Sequence, residues 1–207
     1  GGSLITADLG DQRVCYTIAE PGEHWITNSL CVMAAVRAAG GDLASAGLAL
    51  AEMGGLKGRG ARHQIAVTGG KALLIDESYN ANPASMRATL RSLGQTPAHR
   101  RVAVLGAMKE LGDFSDRFHA QLCEALLDAK IDHAILVGDE MRALAGELGK
   151  LPSALLGNAP TFAHCSGADE AMAALLEYSL THGDAVLVKG SNSVGLGKLV
   201  SHFTSAQ

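Results

Sequence analysis

Aromatic side chains are scarce in this sequence of 207 residues: Phe, Tyr and Trp together make up 4% of it. Ala, Gly, Leu and Val dominate instead. Small side chains let helices lie close against a sheet, so the scarcity leans toward α/β layering. A basic excess is also missing. Lys plus Arg number 17 against 21 for Asp plus Glu, and a net charge of −4 supplies no positive footprint for nucleic acid or anionic lipid. The four cysteines, Cys15, Cys31, Cys123 and Cys165, are scattered, with no C-x-x-C pair and no His at metal-ligand spacing. That pattern gives no disulfide framework or zinc site and fits reduced, buried thiols in a cytoplasmic protein. No apolar run approaches the ~20 residues that span a bilayer, and the polar opening GGSLITADLGDQR lacks a signal-peptide core. There is no initiating Met, so the chain is expected to begin inside a larger protein.

Two nucleotide-binding signatures are absent as well. No G-x-x-x-x-G-K-[ST] occurs. Gly69-Gly70-Lys71 reads as a hairpin turn followed by Ala72, without the spacing or the hydroxyl that hold phosphate and Mg2+. No G-x-G-x-x-G follows a first strand, and Gly195 and Gly197 fall inside the final helical pattern. A nicotinamide-dependent enzyme is therefore poorly supported.

What is present is material for a core. Apolar residues make up 47% and charged residues 18%, which argues against disorder. A chain of 207 residues is long for one domain and short for three, so one full domain plus a piece of another is expected. Residues 3–19 alternate around a GDQR turn and predict a β-hairpin, closed by Pro21-Gly22. Helices are predicted over 26–39 and, capped by Asp42, over 42–53. The glycine-rich stretch Gly54 to Gly60 is the candidate linker or hinge. Beyond it the pattern becomes regular. Strands over 63–68, 72–75, 102–105, 133–137, 161–163 and 185–188 are interleaved with helices over 83–93, 113–130, 140–148, 168–180 and 194–203. This alternation predicts right-handed βαβ units and a mostly parallel sheet with helices on both faces. Ligands of such sheets sit at the carboxyl ends of the strands, which singles out the junctions after Ile75, Leu105, Val137 and Val188.

The first junction reads Asp76-Glu77-Ser78-Tyr79-Asn80-Ala81-Asn82-Pro83. Asn82 before Pro83 makes a good helix cap, but capping needs one polar residue and this loop has six. The second, from Gly106 to Gly112, places Lys109 and Glu110 where a carboxylate and an ammonium could bind; an ordinary loop is the plainer reading. The last, Lys189-Gly190-Ser191, suits an anionic group, or is a surface Lys and a Ser cap. Gly138-Asp139-Glu140 reads as a simple capped helix start. His24 and Asn28 share a helix face, and an amide such as Asn28 pairs with a purine edge or serves as a buried cap. Arg59, in the glycine-rich stretch, suits phosphate or ribose, or is a solvated charge. His119 faces the second junction from a long helix and either supports a site or is a satisfied structural histidine.

These residues match a family. PGEHWITNSL, LKGRG, LLIDESYNANPASM, VAVLGAMKELG and LVKGSNSVGL occur in this order over nearly the whole chain, and the chain resembles the Mur ligases of peptidoglycan synthesis. DESYNANP, G-x-M-x-E-L-G and K-G-S together resemble the branch that adds a dipeptide rather than a single amino acid. Glu77 and Ala107 stand where Asp is common in that pattern.

The resemblance implies a three-domain enzyme. Residues 1–60 would be the tail of a central ATPase domain and 61–207 a Rossmann-like C-terminal domain, with the phosphate loop, the Mg2+ ligands and the UDP site outside this stretch. It also implies the reaction: ATP phosphorylates the terminal carboxylate of UDP-N-acetylmuramoyl-tripeptide, and the amine of D-Ala-D-Ala attacks the acyl phosphate. Asn28, Arg59, Asp76, Glu77 and Tyr79 would then bind ATP. Asn80, Asn82, Met108, Glu110, Lys189 and Ser191 would line the D-Ala-D-Ala side. A hinge at Gly54–Gly60 would let the C-terminal domain close over the acyl phosphate. A cytoplasmic monomer without nucleic-acid or membrane partners is expected. The competing readings are another Mur ligase, a folylpolyglutamate synthase relative, or a non-catalytic Rossmann-like binding module.

Overall fold

The computed structural model describes residues 2–10, 12–19, 22–53, 57–151 and 159–205. Asp11 of the GDQR turn, Pro21, and residues 54–56 of the expected hinge lie outside the described residues. The chain divides into two compact units, Gly1–Gly55 and Leu56–Gln207.

In the first unit, β1 (Ser3–Asp8) and β2 (Arg13–Ile18) pair antiparallel, with Ile5 opposite Tyr16. Strand alternation sends Ile5, Ala7, Tyr16 and Ile18 to one face. There they pack with Met33 of α1 (Glu23–Ala38) and with Leu43 and Leu50 of α2 (Leu43–Glu52). The buried Tyr16 hydroxyl is satisfied by Ser29 Oγ at 2.9 Å. Asp42 caps α2, accepting from the Ala44 and Ser45 N–H groups.

The second unit is a six-stranded sheet in the order β3-β4-β8-β5-β6-β7. Its strands are β3 (Ala61–Val67), β4 (Gly70–Glu77), β5 (Arg101–Gly106), β6 (His133–Val137), β7 (Thr161–Cys165) and β8 (Ala185–Lys189). Only β3 runs antiparallel. Period-two alternation splits the core in two. Ala103, Leu105, Leu136 and Leu187 meet α3 (Pro83–Gln95), α5 (Leu122–Asp128) and α6 (Arg142–Gly149) on one face. Val102, Val104, Ile135 and Val188 meet α7 (Ala168–Tyr178) and α8 (Gly197–Thr204) on the other. The last strand, β8, inserts between β4 and β5, so the carboxyl ends of β4, β8, β5 and β6 lie side by side.

At the opposite end of the strands a charge clasp closes the sheet. Asp184 is buried and accepts from Arg100 Nε at 3.0 Å and from the Thr181 N–H at 2.7 Å. Burial pushes the Asp184 carboxyl up, but these donors outweigh it and hold it below the usual carboxylate range. The Arg100 guanidinium lies 4.7 Å from the Tyr178 ring, which in turn stacks on His133 at 4.4 Å.

Four expectations from the sequence need adjusting. Of the four cysteines only Cys165 is buried, while Cys123 is half-buried and Cys15 and Cys31 are exposed, because the latter two lie on the outward faces of β2 and α1. The helix expected over 113–130 opens as a 3₁₀ turn at Gly112–Phe114 and is interrupted at Gln121, dividing into α4 (Ser115–Ala120) and α5. The final helix begins only at Gly197, because Gly195 takes a left-handed conformation (φ 79°) that ends a preceding 3₁₀ turn. Lys189, expected just after its strand, is the last residue of β8.

Leu187 is fully buried at the middle of the sheet, whereas Leu176 on α7 is 51% exposed. Leu187→Ala is expected to cost about 3 kcal/mol in urea unfolding, and Leu176→Ala less than about 0.5 kcal/mol. Similar losses for the two would contradict this placement of the core.

Candidate functional site

The carboxyl end of β4 leads directly into the over-polar loop, and its first carboxylate turns inward. Asp76 is 1% exposed. Its Oδ1 accepts from the Ser78 N–H (3.1 Å) and hydroxyl (2.6 Å), and its Oδ2 accepts from the Gly58 N–H at 2.8 Å. The Gly60 N–H donates to the Asp76 carbonyl and the Tyr79 N–H to the Gly58 carbonyl. The described part of the expected hinge, residues 57–60, is therefore tied to the end of β4. Only glycine fits at 58: φ is +75°, and a Cβ there would meet Tyr79 Cβ at 2.8 Å. This bracket sets Arg59 beside Tyr79, with Cζ 4.2 Å from the ring centroid, a cation–π contact that pre-orients an exposed guanidinium.

Lys189, at the end of β8, is 2% exposed. Its Nζ donates to the Asn80 carbonyl at 2.9 Å and lies 3.5 Å from Glu77 Oε2. Burial pulls the Lys189 ammonium below its ordinary range, with Glu77 opposing and Arg59 reinforcing that shift. Such a charge is costly unless paired, and here its partners hold the β4–α3 loop against the central strand.

Asn82 is the cap of α3. Its Oδ1 accepts from the Ser85 N–H at 2.8 Å, and the Ser85 hydroxyl accepts from the Asn82 N–H, completing a capping box.

The loop after β5 is held from three sides. The Ala107 N–H donates to the Val137 carbonyl, the Met108 N–H to His119 Nε2 at 2.9 Å, and the Lys109 N–H to Ser191 Oγ at 3.0 Å. Lys109 forms an ion pair with Glu140, and that pairing holds the Glu140 carboxyl below its usual range. Glu110 follows with φ +64°, a left-handed conformation that costs a non-glycine residue about 1 kcal/mol. Glu110 is exposed.

The expected site residues thus sort by burial. Arg59, Tyr79, Asn80, Asn82 and Glu110 are exposed and Glu77 is half-buried. Asp76, Lys189, Ser191 and Met108 are buried. Met108, expected to line the dipeptide side, is 1% exposed and packs in the core, so only its backbone belongs to the loop. Asp76 and Lys189, expected to touch ligands, have their polar atoms engaged within the frame. Asn28 lies in the first unit, exposed on α1. Glu140 was missed: Gly138-Asp139-Glu140 reads as a capped helix start, yet its place at the end of β6, next to β5, brings Glu140 to Lys109. The rule for carboxyl ends of strands already pointed there. Among the described residues no group of His, Cys, Asp and Glu converges as a metal site, and no helix is long and apolar enough to cross a membrane.

The sheet order, with polar loops gathered at the carboxyl ends of β4, β8 and β5, makes this a Rossmann-like domain. Residues 61–192 match the family described as Mur ligase, glutamate ligase domain, and the chain belongs to that family. It is similar to the UDP-N-acetylmuramoyl-tripeptide–D-alanyl-D-alanine ligase of Synechocystis sp., 36% identical over 149 residues, covering 71% of this chain and 30% of that protein. The enzyme of the same name from Mycobacterium bovis is 34% identical over 192 residues, covering 85% of this chain and 37% of its own length. A crystal structure of MurF from Acinetobacter baumannii superposes with a TM-score of 0.81 at 27% identity, covering 99% of this chain and 43% of that one. The chain spans under half the length of each of these relatives.

Removing one member of the buried pair should cost more than removing both. Lys189→Met is expected to destabilise the second unit by about 3 kcal/mol, and Glu77→Gln with Lys189→Met to recover most of that loss in denaturant midpoints. A single substitution that costs no more than the double would show that the two groups are not coupled. Burial also holds His119 and His133 below the ordinary histidine range. Their neutral forms are favoured in the folded state, so this contribution is complete above the unfolded value of about 6.5 and is lost as pH falls through the lower folded values. Melting temperature is expected to drop on that acid side. A His119→Gln variant with an unchanged acid limb would exclude His119 as a source.

Proposed function

We propose that this chain is part of an ATP-dependent ligase that joins D-Ala-D-Ala to UDP-N-acetylmuramoyl-tripeptide. The observation that carries this reading is the meeting of three motif loops at one end of the sheet, in a chain whose relatives bear that enzyme's name. The first unit would be the tail of a central ATPase domain and the second the C-terminal domain.

A carboxylate oxygen of the tripeptide attacks the γ-phosphorus, ADP leaves, and an acyl phosphate forms. The dipeptide amine then attacks the acyl carbon. The attacking nitrogen gives up one proton to solvent, the tetrahedral intermediate collapses with cleavage of the bond to phosphate, and an amide that keeps one N–H remains. Chemistry of this kind rests on positioning and charge stabilisation. On this reading Arg59, pre-oriented by Tyr79, faces the nucleotide. Glu110 draws the dipeptide's ammonium. Ser191 Oγ accepts from the Lys109 N–H, which leaves its own hydrogen to donate to the dipeptide's carboxylate. Asp76 and Lys189 act from behind, by fixing the segment that bears Arg59 and the Asn80 carbonyl. An Mg2+ ion accompanying ATP is expected from the resemblance to take its ligands from the upstream part of the enzyme.

The test is phosphate release by the ligase that contains this chain. Release is expected only with ATP, UDP-N-acetylmuramoyl-tripeptide and D-Ala-D-Ala together; equal release with a single amino acid would replace this reading with another Mur ligase activity. In calorimetric titration of the chain with D-Ala-D-Ala, Glu110→Ala and Ser191→Ala are each expected to weaken binding about tenfold. Affinity indifferent to both would remove the dipeptide from this loop.

A further inference from the structure

The turn after β5 depends on its backbone donors at Ala107, Met108 and Lys109, and each has a different kind of partner. Ala107 donates to a backbone carbonyl and Lys109 to a serine hydroxyl. Neither partner titrates near neutrality. Met108 donates to the Nε2 of His119, a fully buried imidazole on α4. The other ring nitrogen, Nδ1, lies 2.8 Å from the Ser115 carbonyl, with the Ser115 hydroxyl 3.3 Å away.

These contacts select one form of the ring. A carbonyl oxygen only accepts, so Nδ1 carries the hydrogen. A backbone N–H only donates, so Nε2 is bare. The neutral Nδ1–H tautomer satisfies both at once, and a protonated ring would set one N–H against another at Met108. The charged groups around the ring are Asp116 on its own helix, Glu140 from the turn after β6 and Lys109 from the loop itself. The two carboxylates favour protonation, while Lys109 and burial oppose it. The same turn carries Glu110 in its left-handed conformation, two residues beyond the Met108 anchor.

We propose that His119 is a positioning residue for the dipeptide subsite: as a single neutral tautomer it holds the Met108 N–H and thereby aims Glu110 and the Ser191 hydroxyl. This rests on the ligase reading above.

The test compares His119→Leu, which removes the acceptor, with His119→Gln, whose side-chain carbonyl restores one. In the whole ligase, the Leu variant is expected to raise KM for D-Ala-D-Ala about tenfold, well beyond any change in KM for ATP. The Gln variant should recover most of that loss. The wild-type KM for the dipeptide should rise as His119 protonates on the acid side, and this limb should be absent in the Gln variant. A merely structural histidine would lower melting temperature and move both KM values together, which would overturn the proposal. Nitrogen NMR of this chain supplies a readout independent of the ligase reading. Nε2 is expected to be unprotonated at neutral pH, with the Met108 amide protected from exchange in wild type and Gln variant. A protonated Nε2, or Met108 protection that is the same in the Leu variant, would refute the anchor. Absence of phosphate release from the wild-type ligase would instead refute the ligase reading, with the anchor still decided by the NMR result.

Discussion

The Lys189 ammonium is buried where the central strand of the sheet meets the loop that follows β4. An ammonium taken from water must find its stabilisation inside the fold. Here the Glu77 carboxylate and the Asn80 carbonyl supply it. The contact spans 109 residues of sequence, so it forms only once β8 has inserted between β4 and β5. With it the Asp76–Asn82 loop is anchored at both ends: Asp76 holds it toward residue 58, and Lys189 holds it toward β8. Arg59, Tyr79 and Asn80 take up their exposed places as a consequence of that frame.

Charge is divided between a frame and a rim. Asp76 and Lys189 are inside and hydrogen-bonded, and a buried hydrogen-bonded charge changes position reluctantly. Arg59, Glu110 and Lys109 are outside, each steered by a contact of a different kind: an aromatic face, a left-handed backbone and an ion pair with Glu140. A rim of this sort presents both signs of charge at the carboxyl end of the sheet. The site needs its glycines and its strained residue for the same reason: the backbone has to turn sharply where each strand ends.

Much of this was legible beforehand. The strands ending in Gly106, Val137 and Lys189 read as short apolar runs followed by turn residues, and the helices between them carry the expected period. The DESYNANP loop stood out because it holds more polar groups than capping requires. Asn82 did turn out to be a cap, the plainer of its two readings. Other assignments moved. Met108 looks like a loop residue in sequence but is claimed by the core, where it joins the buried cluster that includes Leu105 and Leu122. Glu140 hides in an ordinary helix start, since nothing local signals that Lys109 will arrive beside it. The break at Gln121 is equally silent, because its backbone stays within the right-handed helical region.

By itself the sequence determined the order of strands and helices, the near-parallel sheet, and which loops would be crowded with polar groups. Those properties follow from side-chain period, turn residues and local polarity, which act over a few residues. Only the tertiary structure decided which polar groups form the frame and which face outward. Asp76 meets Gly58 across 18 residues, Lys109 meets Ser191 across 82, and Lys189 meets Asn80 across 109. Hydrogen bonds between such distant partners depend on which strands become neighbours, and burial of a charge is settled by what closes over it. His119 shows both sides: its position on a helix facing the loop was readable, while its single tautomer follows from two contacts that exist only in the folded chain.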